Sequence, residues 1–236
     1  FQTTSDTEVI ANLISRNWLL SDDIEQTLIK VMDTIKGSYS IAILTPDKLV
    51  GIRDPLGIRP LCIGKLKNSY ILASESCALD AVGAEFVRDV RPGEIVLIGD
   101  DGLKSVQAPV CSESRLCIFE FVYFARPDSF IDGSSVYRAR IEAGRRLAME
   151  HPVEADVVIG APDSGTTAAL GYSMQSGIPF GQGLLKNRYV GRTFIKPGQD
   201  ERETSVRIKF NAMADEVRGK RIVMVDDSIV RGTTTS

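Results

Sequence analysis

The sequence predicts a layered α+β domain with antiparallel sheets, followed by an α/β domain built on a parallel sheet. In the first half, two helical patterns precede several short strand patterns at close spacing. In the second half, helical and strand patterns alternate along the chain. A polar stretch without periodicity, "APVCSESR", lies between the halves. We therefore predict a domain over residues 1–113 and a second over residues 114–236.

The composition is that of an ordinary globular protein. Of the 236 residues, 43% are hydrophobic and 25% are charged, and 28 basic against 31 acidic residues give a net charge of −3. This balance argues against a general nucleic-acid or membrane-surface binder. There is no apolar run of the roughly 18 residues that a membrane span needs. The four cysteines show no CxxC spacing, which is typical of a reduced, cytoplasmic protein.

The elements of the first half follow from local patterns. Apolar spacing predicts a helix over residues 6–18, capped by Ser5 or Asp6, and a second helix over residues 22–35. Short β-rich runs bounded by Gly or Pro then predict strands. These runs are "SYSIAILT", "KLVGIRD", "PLCIGK", "SYILASES" and "EIVLIGDDGL".

The second half alternates between the two kinds of element. Helices are predicted over residues 136–150 and 166–176, and strands in "ADVVIGAP", "FGQGLLK" and "KRIVMVDD". Strands separated by helices favour a parallel sheet, in which ligands bind beyond the carboxyl ends of the strands. The segment "FEFVYFARPDSFIDGSSVYRAR", residues 119–140, reads as an apolar strand broken at Arg126 to Asp128. We derive no chemistry for it and expect a role in packing and in joining the domains.

The last predicted strand ends in two acids. Val223, Met224 and Val225 read as a central buried strand, and Asp226 and Asp227 fall at its carboxyl end. The residues that follow, "SIVRGTTTS", combine a flexible glycine with hydroxyl donors and suit a phosphate cradle. Such a site fits a ligand with hydroxyls, a phosphate and a divalent cation. The alternative is an exposed turn in which the two acids cap a helix.

The string "VDDSIVRGTT" resembles the phosphoribosyl-pyrophosphate (PRPP) loop of type I phosphoribosyltransferases, in the form found in the glutamine–PRPP amidotransferase family. The resemblance implies that Asp226 and Asp227 hold the ribose hydroxyls and Mg²⁺. It also implies that Ser164, in "GAPDSG", contacts the metal, although a plain strand-to-helix cap is the alternative there. The residues implied to bind the 5′-phosphate of PRPP are Ser228, Arg231, Gly232, Thr233, Thr234 and Thr235.

A long aperiodic stretch, "KNRYVGRTFIKPGQ", carries several cations with interleaved aromatic residues. A loop of this length in a compact domain is usually a functional lid, and the alternative is a solvated charged loop. The stretch is similar to the loop with which the same family closes over PRPP and helps to form an ammonia passage. The lid residues that this implies are Lys186, Arg188, Tyr189 and Arg192.

The first half resembles class II glutamine amidotransferases in "SDTE", "KGSYSIAIL", "RDPLGIRPLCIG" and "ASESCALD". The resemblance implies an N-terminal-nucleophile glutaminase domain with αββα layers, present here in part, and then a partial α/β phosphoribosyltransferase domain. It implies that Asp6 holds the α-amino group of glutamine; the alternative for Asp6 is a simple helix cap. It also implies that the segment from Arg53 to Pro60 is a structural turn.

Class II glutaminases use an N-terminal cysteine as nucleophile, with its own amine as base. Phe1 is not a cysteine, and the four cysteines of this chain are internal. We therefore expect no catalytic nucleophile in this chain. The expectation is that it starts partway through the glutaminase domain, stops inside the PRPP loop and catalyses nothing in isolation.

Cys117 precedes the "FEFVYF" segment. Some members of the family hold a [4Fe–4S] cluster through a cysteine here, whereas others keep the cysteine without a cluster. The alternative is a buried free thiol before a core strand, and a cluster needs further thiolates.

The resemblance implies the reaction glutamine + PRPP + water → 5-phosphoribosylamine + glutamate + pyrophosphate, the first committed step of purine nucleotide synthesis. It further implies Mg²⁺, feedback by purine nucleotides and a homotetramer, with no nucleic-acid or membrane partner. Two other functions stay open. One is a regulator that senses PRPP without turnover, and the other is a class II amidotransferase with a different acceptor.

Overall fold

The computed structural model describes residues 2–21, 23–109, 113–187 and 210–228. The chain forms two compact units, the first of residues 1–120 and 128–134 and the second of residues 121–127 and 135–236. The chain therefore enters the second unit, returns to the first for one short segment and leaves it again. Residues 114–120 and 128–134, which lie beyond the predicted boundary, belong to the first unit.

The first unit contains most of the strands. Its helices are α1 (Asp6–Trp18), α2 (Ile24–Thr34) and α3 (Ser76–Ala81). Its antiparallel strands are β1 (Ser40–Leu44), β2 (Leu49–Arg53), β3 (Cys62–Leu66), β4 (Ser69–Ala73), β5 (Glu85–Asp89), β6 (Glu94–Gly99) and β7 (Gly102–Gln107). They form a sheet in the order β1-β2-β6-β7 and a second in the order β4-β3-β5.

Both predicted helices of this unit are confirmed, and their caps explain where they begin. Ser5 Oγ accepts the N–H of Thr7 at 3.3 Å at the start of α1. Asp23 Oδ1 accepts the N–H of Glu25 at 2.9 Å at the start of α2. Each contact satisfies one of the backbone donors that a helix leaves without an internal partner.

The elements of the first unit form four layers, and the alternating side chains of β2 show how two of the layers pack on opposite faces of its sheet. Val50 and Ile52 of β2 point toward the helices and pack with Leu28 and its neighbours on α2. Gly51, between them, faces the second sheet, where a Cβ would lie 2.8 Å from Leu72 of β4. Leu79 of α3 packs on the outer face of that second sheet. Because successive strand side chains face opposite sides, the layers are helices, sheet, sheet and helix, as the αββα prediction requires.

The sequence patterns missed or merged some elements of the first unit. Strand β5 and helix α3 were not predicted. The run "EIVLIGDDGL" reads as a single strand, but it contains β6, a turn at Asp100 and Asp101, and the start of β7.

The second unit carries the alternating elements. Its elements are α4 (Val136–Glu150), β10 (Val157–Gly160), α5 (Ser164–Ser176), β11 (Leu184–Lys186), β12 (Phe210–Ala212), a short helix Ala214–Val217 and β13 (Ile222–Val225). Before them, where the chain passes from the first unit to the second, lie the two-residue paired strands β8 (Phe130–Ile131) and β9 (Ser134–Ser135). β10 and β13 are parallel, whereas β11 and β12 are antiparallel. In the described part of the chain, no helix has the length and apolar character to cross a membrane.

Helices α4 and α5 pack with their backbones in close approach. A Cβ on Gly144 would lie 1.8 Å from the carbonyl oxygen of Ala168, and one on Gly171 would lie 2.1 Å from that of Ile141. Only glycine allows this spacing, because a methyl group would collide with backbone atoms. The packing places α5 across the buried strand β10 and the end of β13.

The predicted apolar strand that begins at Phe119 is wrong. Residues Glu120–Phe124 form a π-type helical turn. The guanidinium of Arg140, which is 5% exposed, donates to the carbonyl oxygens of Phe121 at 2.6 Å and Ala125 at 2.8 Å. These carbonyl groups are therefore satisfied by a side chain from α4 rather than by a neighbouring strand.

The prediction of a fully buried last strand is correct only at its end. Val225 is 3% exposed, whereas Ile222 is 40% exposed and Val223 and Met224 are half-buried. Among the described residues, β13 pairs with one neighbour, β10. One flank and part of one face of the strand are therefore open.

Candidate functional site

The carboxyl ends of β10 and β13 meet at one edge of the parallel pair. Gly160 and Val225 are register partners, and the N–H of Ala161 extends the ladder by donating to the carbonyl oxygen of Val225 at 2.8 Å. The loops that leave the two strands therefore lie side by side, although about 65 residues separate them in sequence. This arrangement agrees with the predicted parallel pair.

The second loop carries the predicted acids, and the structure brings them to the first loop. Ser164 Oγ donates a short hydrogen bond to Asp227 Oδ1. Ser228 Oγ donates to the other oxygen of the same carboxylate at 3.1 Å, and the N–H of Asp227 donates to Asp226 Oδ1 at 2.8 Å. Four of the predicted site residues are thus in one connected cluster.

The carboxylates of Asp226 and Asp227 are close together and partly buried, which affects the pKa of Asp226. Burial raises the pKa of Asp226 above its ordinary value. The side chain of Asp227 adds to this rise, whereas the hydrogen bond from the N–H of Asp227 opposes it. The charged form of a carboxylate is disfavoured by desolvation and by a like charge close by. A cationic ligand at this edge would relieve both effects.

The other loop holds a cation that the sequence analysis placed in the lid. Lys186, the last residue of β11, donates a short hydrogen bond from Nζ to Asp163 Oδ2. The side chain of Lys186 is 32% exposed and that of Asp163 is 78% exposed. The lysine therefore lies at the rim of the cluster. Asp163 belongs to the predicted strand-end loop, but its pairing with Lys186 was not predicted.

The alternative that this loop is an ordinary helix cap does not hold. Asp163 occupies the N-cap position of α5 but makes no capping hydrogen bond with its side chain. Ser164 is the first residue of the helix, and its hydroxyl is used on Asp227. Asp163 and Ser164 therefore use their side chains on Lys186 and Asp227 rather than on the backbone of α5.

Other predicted residues of the site lie outside the described part of the chain. These are Arg188, Tyr189, Arg192, Arg231, Gly232, Thr233, Thr234 and Thr235. Their roles in the lid and in the phosphate loop stay predictions.

The donor set of the cluster fits Mg²⁺ in part. Asp226, Asp227 and Ser164 offer carboxylate and hydroxyl oxygens, which are the donors that Mg²⁺ prefers. Within the described residues, no three His, Cys, Asp or Glu side chains come together as a closed metal site. A magnesium ion here would therefore complete its coordination with water and with oxygens of a bound substrate, as is usual for this metal.

The residues around Cys117 do not fit an iron–sulfur cluster by themselves. Cys117 is half-buried, and its N–H donates to the carbonyl oxygen of Ile58 at 3.1 Å. Cys62 and Cys77 are buried, and burial is the main reason that the pKa of Cys62 is raised to about 12. A cluster needs several thiolates around one centre, and the described residues do not provide them.

In the first unit, Asp6 lies exposed in the first turn of α1. Ser5 caps the helix, so the alternative that Asp6 is the cap is wrong. The Glu8 carboxylate accepts two backbone N–H groups of the segment before the helix, at 2.7 Å each. Asp6 Oδ1 accepts the adjacent N–H of Thr7 at 2.8 Å. The glutamine-binding role of Asp6 stays a prediction.

The predicted structural turn is confirmed, with Arg53 at its centre. Arg53 is completely buried. Its guanidinium donates to the carbonyl oxygens of Gly57, Arg59 and Val90 at 2.9, 2.8 and 2.7 Å. It also donates to both carboxylate oxygens of Asp132, at 2.8 and 2.9 Å. One side chain therefore fixes three separate segments of the chain.

Asp54 organises the inside of the same turn. Its carboxylate accepts the N–H groups of Leu56 at 2.9 Å and Ile58 at 3.0 Å. Gly57 has a φ of +62°, and a Cβ there would lie 2.6 Å from Pro92 Cγ. Both its backbone conformation and its surroundings require glycine. The pattern "RDPLGIRP" thus encodes a rigid, buried turn.

The comparisons with known proteins find a domain match in the first half of the chain and relatives that match the whole chain. A family model described as a glutamine amidotransferase domain matches residues 1–81. The amidophosphoribosyltransferase of Archaeoglobus fulgidus is 54% identical over 235 residues, a match that covers 100% of this chain and 51% of that protein. The amidophosphoribosyltransferase of Bacillus subtilis is 51% identical over 237 residues, covering 100% of this chain and 49% of that protein.

Two solved structures resemble the whole chain. Glutamine PRPP amidotransferase from B. subtilis, complexed with ADP and GMP, superposes with a TM-score of 0.89 at 49% identity, covering 100% of this chain and 51% of that one. A structure described as the allosteric regulatory enzyme of purine biosynthesis gives a TM-score of 0.87 at 49% identity and covers 100% of this chain. The chain spans about half the length of the curated relatives that it matches. In sequence and in fold, the chain is similar over its whole length to amidophosphoribosyltransferases.

Proposed function

We propose that the protein is an amidophosphoribosyltransferase, which converts glutamine, PRPP and water to 5-phosphoribosylamine, glutamate and pyrophosphate. This is the first committed step of purine nucleotide synthesis. The observation that carries the proposal is the cluster of Asp226, Asp227 and Ser164 at the joined strand ends. It occurs in a chain that is about half identical, over its whole length, to proteins of that name.

The second unit is proposed to be part of a type I phosphoribosyltransferase domain. In the reaction, the bond from ribose C1 to the pyrophosphate oxygen breaks, and a bond from C1 to the nitrogen of ammonia forms. Positive charge develops on the ribose ring and negative charge on the departing pyrophosphate. The carboxylates of Asp226 and Asp227 hold the ribose hydroxyls and stabilise the positive ring, because preorganised charges act most strongly where charge develops.

Asp226, Asp227 and Ser164 are also the residues that would hold Mg²⁺. When bound, the metal supplies charge neutralisation for the leaving pyrophosphate. Lys186, at the rim of the cluster, is placed to bind an anionic phosphate once it leaves Asp163. The proposed reaction does not require an iron–sulfur cluster at Cys117.

The first unit is proposed to deliver the ammonia. Asp6 is proposed to hold the α-amino group of glutamine. Ammonia has to reach ribose C1 without protonation, because ammonium has no free electron pair. The loop that begins at Lys186 is proposed to close over PRPP and to exclude water.

The proposal extends to the regulation and the oligomeric state of the protein. The B. subtilis relative was solved with ADP and GMP. We extend this to feedback inhibition of the present protein by purine nucleotides, and we propose a homotetramer in the cytoplasm.

The test is glutamate release by the complete protein, measured with and without PRPP and Mg²⁺. The double variant Asp226→Asn, Asp227→Asn should lose the stimulation by PRPP by about 100-fold or more, as expected when electrostatic stabilisation of a transition state is removed. The matched control is Asp100→Asn, Asp101→Asn. It changes the other pair of adjacent acids that follows a strand, in the exposed turn between β6 and β7.

Each alternative function predicts a different outcome. Glutamate release that does not respond to PRPP would contradict the proposal and indicate an amidotransferase with another acceptor. PRPP binding without glutamate release would favour a sensor. Equal loss of stimulation in the control variant would mean that the acids at the strand end have no specific role.

A further inference from the structure

The start of α5 lies in direct contact with the end of β13. A Cβ on Gly165 would lie 2.3 Å from the carbonyl oxygen of Val225 and 3.1 Å from Cα of Asp226. A Cβ on Gly160, at the end of β10, would lie 2.5 Å from Cα of Thr166. The neighbouring atoms belong to the backbone and cannot rotate away as the end of a side chain can. Glycine is therefore required at both positions for this approach.

This contact sets the distance between the two halves of the candidate site. Ser164 directly precedes Gly165, and Asp226 and Asp227 directly follow Val225. A methyl group at position 165 would force the distance to the Val225 oxygen from 2.3 Å to at least 3.0 Å. The hydrogen bond from Ser164 Oγ to Asp227 crosses this same boundary, so it would be lengthened or misaligned.

We infer that Gly165 is a positioning residue that spaces the loop at Asp163 and Ser164 from the carboxylates of Asp226 and Asp227. The inference rests on the proposed function, in which the first loop faces pyrophosphate and the carboxylates face ribose. A ligand that spans both loops depends on their separation. A ligand that occupies one loop moves with it and does not depend on the separation.

The spacing role predicts a selective loss of affinity. In the complete protein, Gly165→Ala should raise the Kd of PRPP with Mg²⁺ by about tenfold to 100-fold, the loss expected for one charge-assisted contact. The Kd values of pyrophosphate without Mg²⁺, and of ribose 5-phosphate, should change by less than about threefold, because each of these ligands contacts one loop. Isothermal titration calorimetry of the three ligands measures this difference directly and does not depend on turnover.

Gly171→Ala is the matched control. A Cβ there would lie 2.1 Å from the carbonyl oxygen of Ile141, an equally severe backbone collision in the same unit but between α4 and α5. It should lower the thermal midpoint without changing the ratio of PRPP affinity to pyrophosphate affinity. Gly160→Ala is a second variant at the site, because it presses on the first turn of α5 from the strand side.

The outcomes separate the inference from the proposed function. If the unaltered protein does not bind PRPP, the proposed function fails. If it binds PRPP but Gly165→Ala weakens all three ligands equally, the spacing role is wrong. If neither Gly165→Ala nor Gly160→Ala folds while Gly171→Ala does, the two glycines are purely structural and the inference is overturned.

Discussion

Replacement of Arg53 tests the turn that joins three segments of the first unit. The side chain is completely buried and makes five hydrogen bonds, three to carbonyl oxygens and two to Asp132. Arg53→Met removes every one of them while keeping most of the apolar volume. The three carbonyl groups are left without that donor, and the Asp132 carboxylate loses its cation.

The expected cost follows from those contacts. Breaking a buried ion pair from one side costs about 3–5 kcal/mol, because the remaining charge is poorly solvated. The Asp132 side chain is 30% exposed, so water recovers part of that cost, while each unpaired buried carbonyl adds about 1 kcal/mol or more. We expect a net destabilisation of about 4 kcal/mol for Arg53→Met. Asp132→Asn keeps an acceptor for Arg53 and should cost about 1–2 kcal/mol.

The assay is hydrogen exchange of the complete protein, followed by mass spectrometry, together with the thermal midpoint. Amides of β2 and of the turn from Arg53 to Pro60 should lose protection first, because local opening free energies follow local contacts. Arg16→Met is the control, since Arg16 is exposed in the last turn of α1. If Arg53→Met changes protection no more than Arg16→Met does, the turn does not depend on this residue.

Three further predictions concern charge. Burial opposes the charged form of Glu94, but the hydrogen bonds from Arg88, at 2.7 and 2.8 Å, and from the N–H of Arg91, at 2.7 Å, together with the charge of Arg88, outweigh burial and lower the pKa of Glu94 below 4.5. This pair therefore stabilises the fold above about pH 4.5 and less as pH falls through the lowered pKa, so the stability lost in Glu94→Gln should shrink in acid. Burial raises the pKa of Asp89, so Asp89→Asn should gain stability relative to the unaltered protein as pH rises. If the two variants show parallel trends in thermal melts, one of the two pKa directions is wrong. Asp163→Asn, which removes the charge of the exposed partner of Lys186, should tighten binding of pyrophosphate with Mg²⁺ by up to about fivefold with little change in stability. Weaker binding by calorimetry would show that Asp163 itself serves the ligand.

Local patterns predicted most elements because their causes are local. Ser5 and Asp23 are the kinds of residue that cap helices, and both do so. Strand alternation placed Val50 and Ile52 on one face of β2. The prediction of a strand after Phe119 was wrong because the cause of its structure is not local. Its apolar residues suit a strand, but Arg140, in a later helix, supplies the partners for its carbonyl groups.

The sequence by itself determined the four long helices, most of the strands, the turn around Arg53 and the acids at the end of the last strand. Each depends on neighbours within a few residues or on a motif read directly from the chain. Only the tertiary structure decided that Ser164 meets Asp227, that Lys186 pairs with Asp163 and that Arg53 reaches Asp132. These partners are 63, 23 and 79 residues apart. Strand register and close backbone packing bring them together, and neither is encoded in a local pattern.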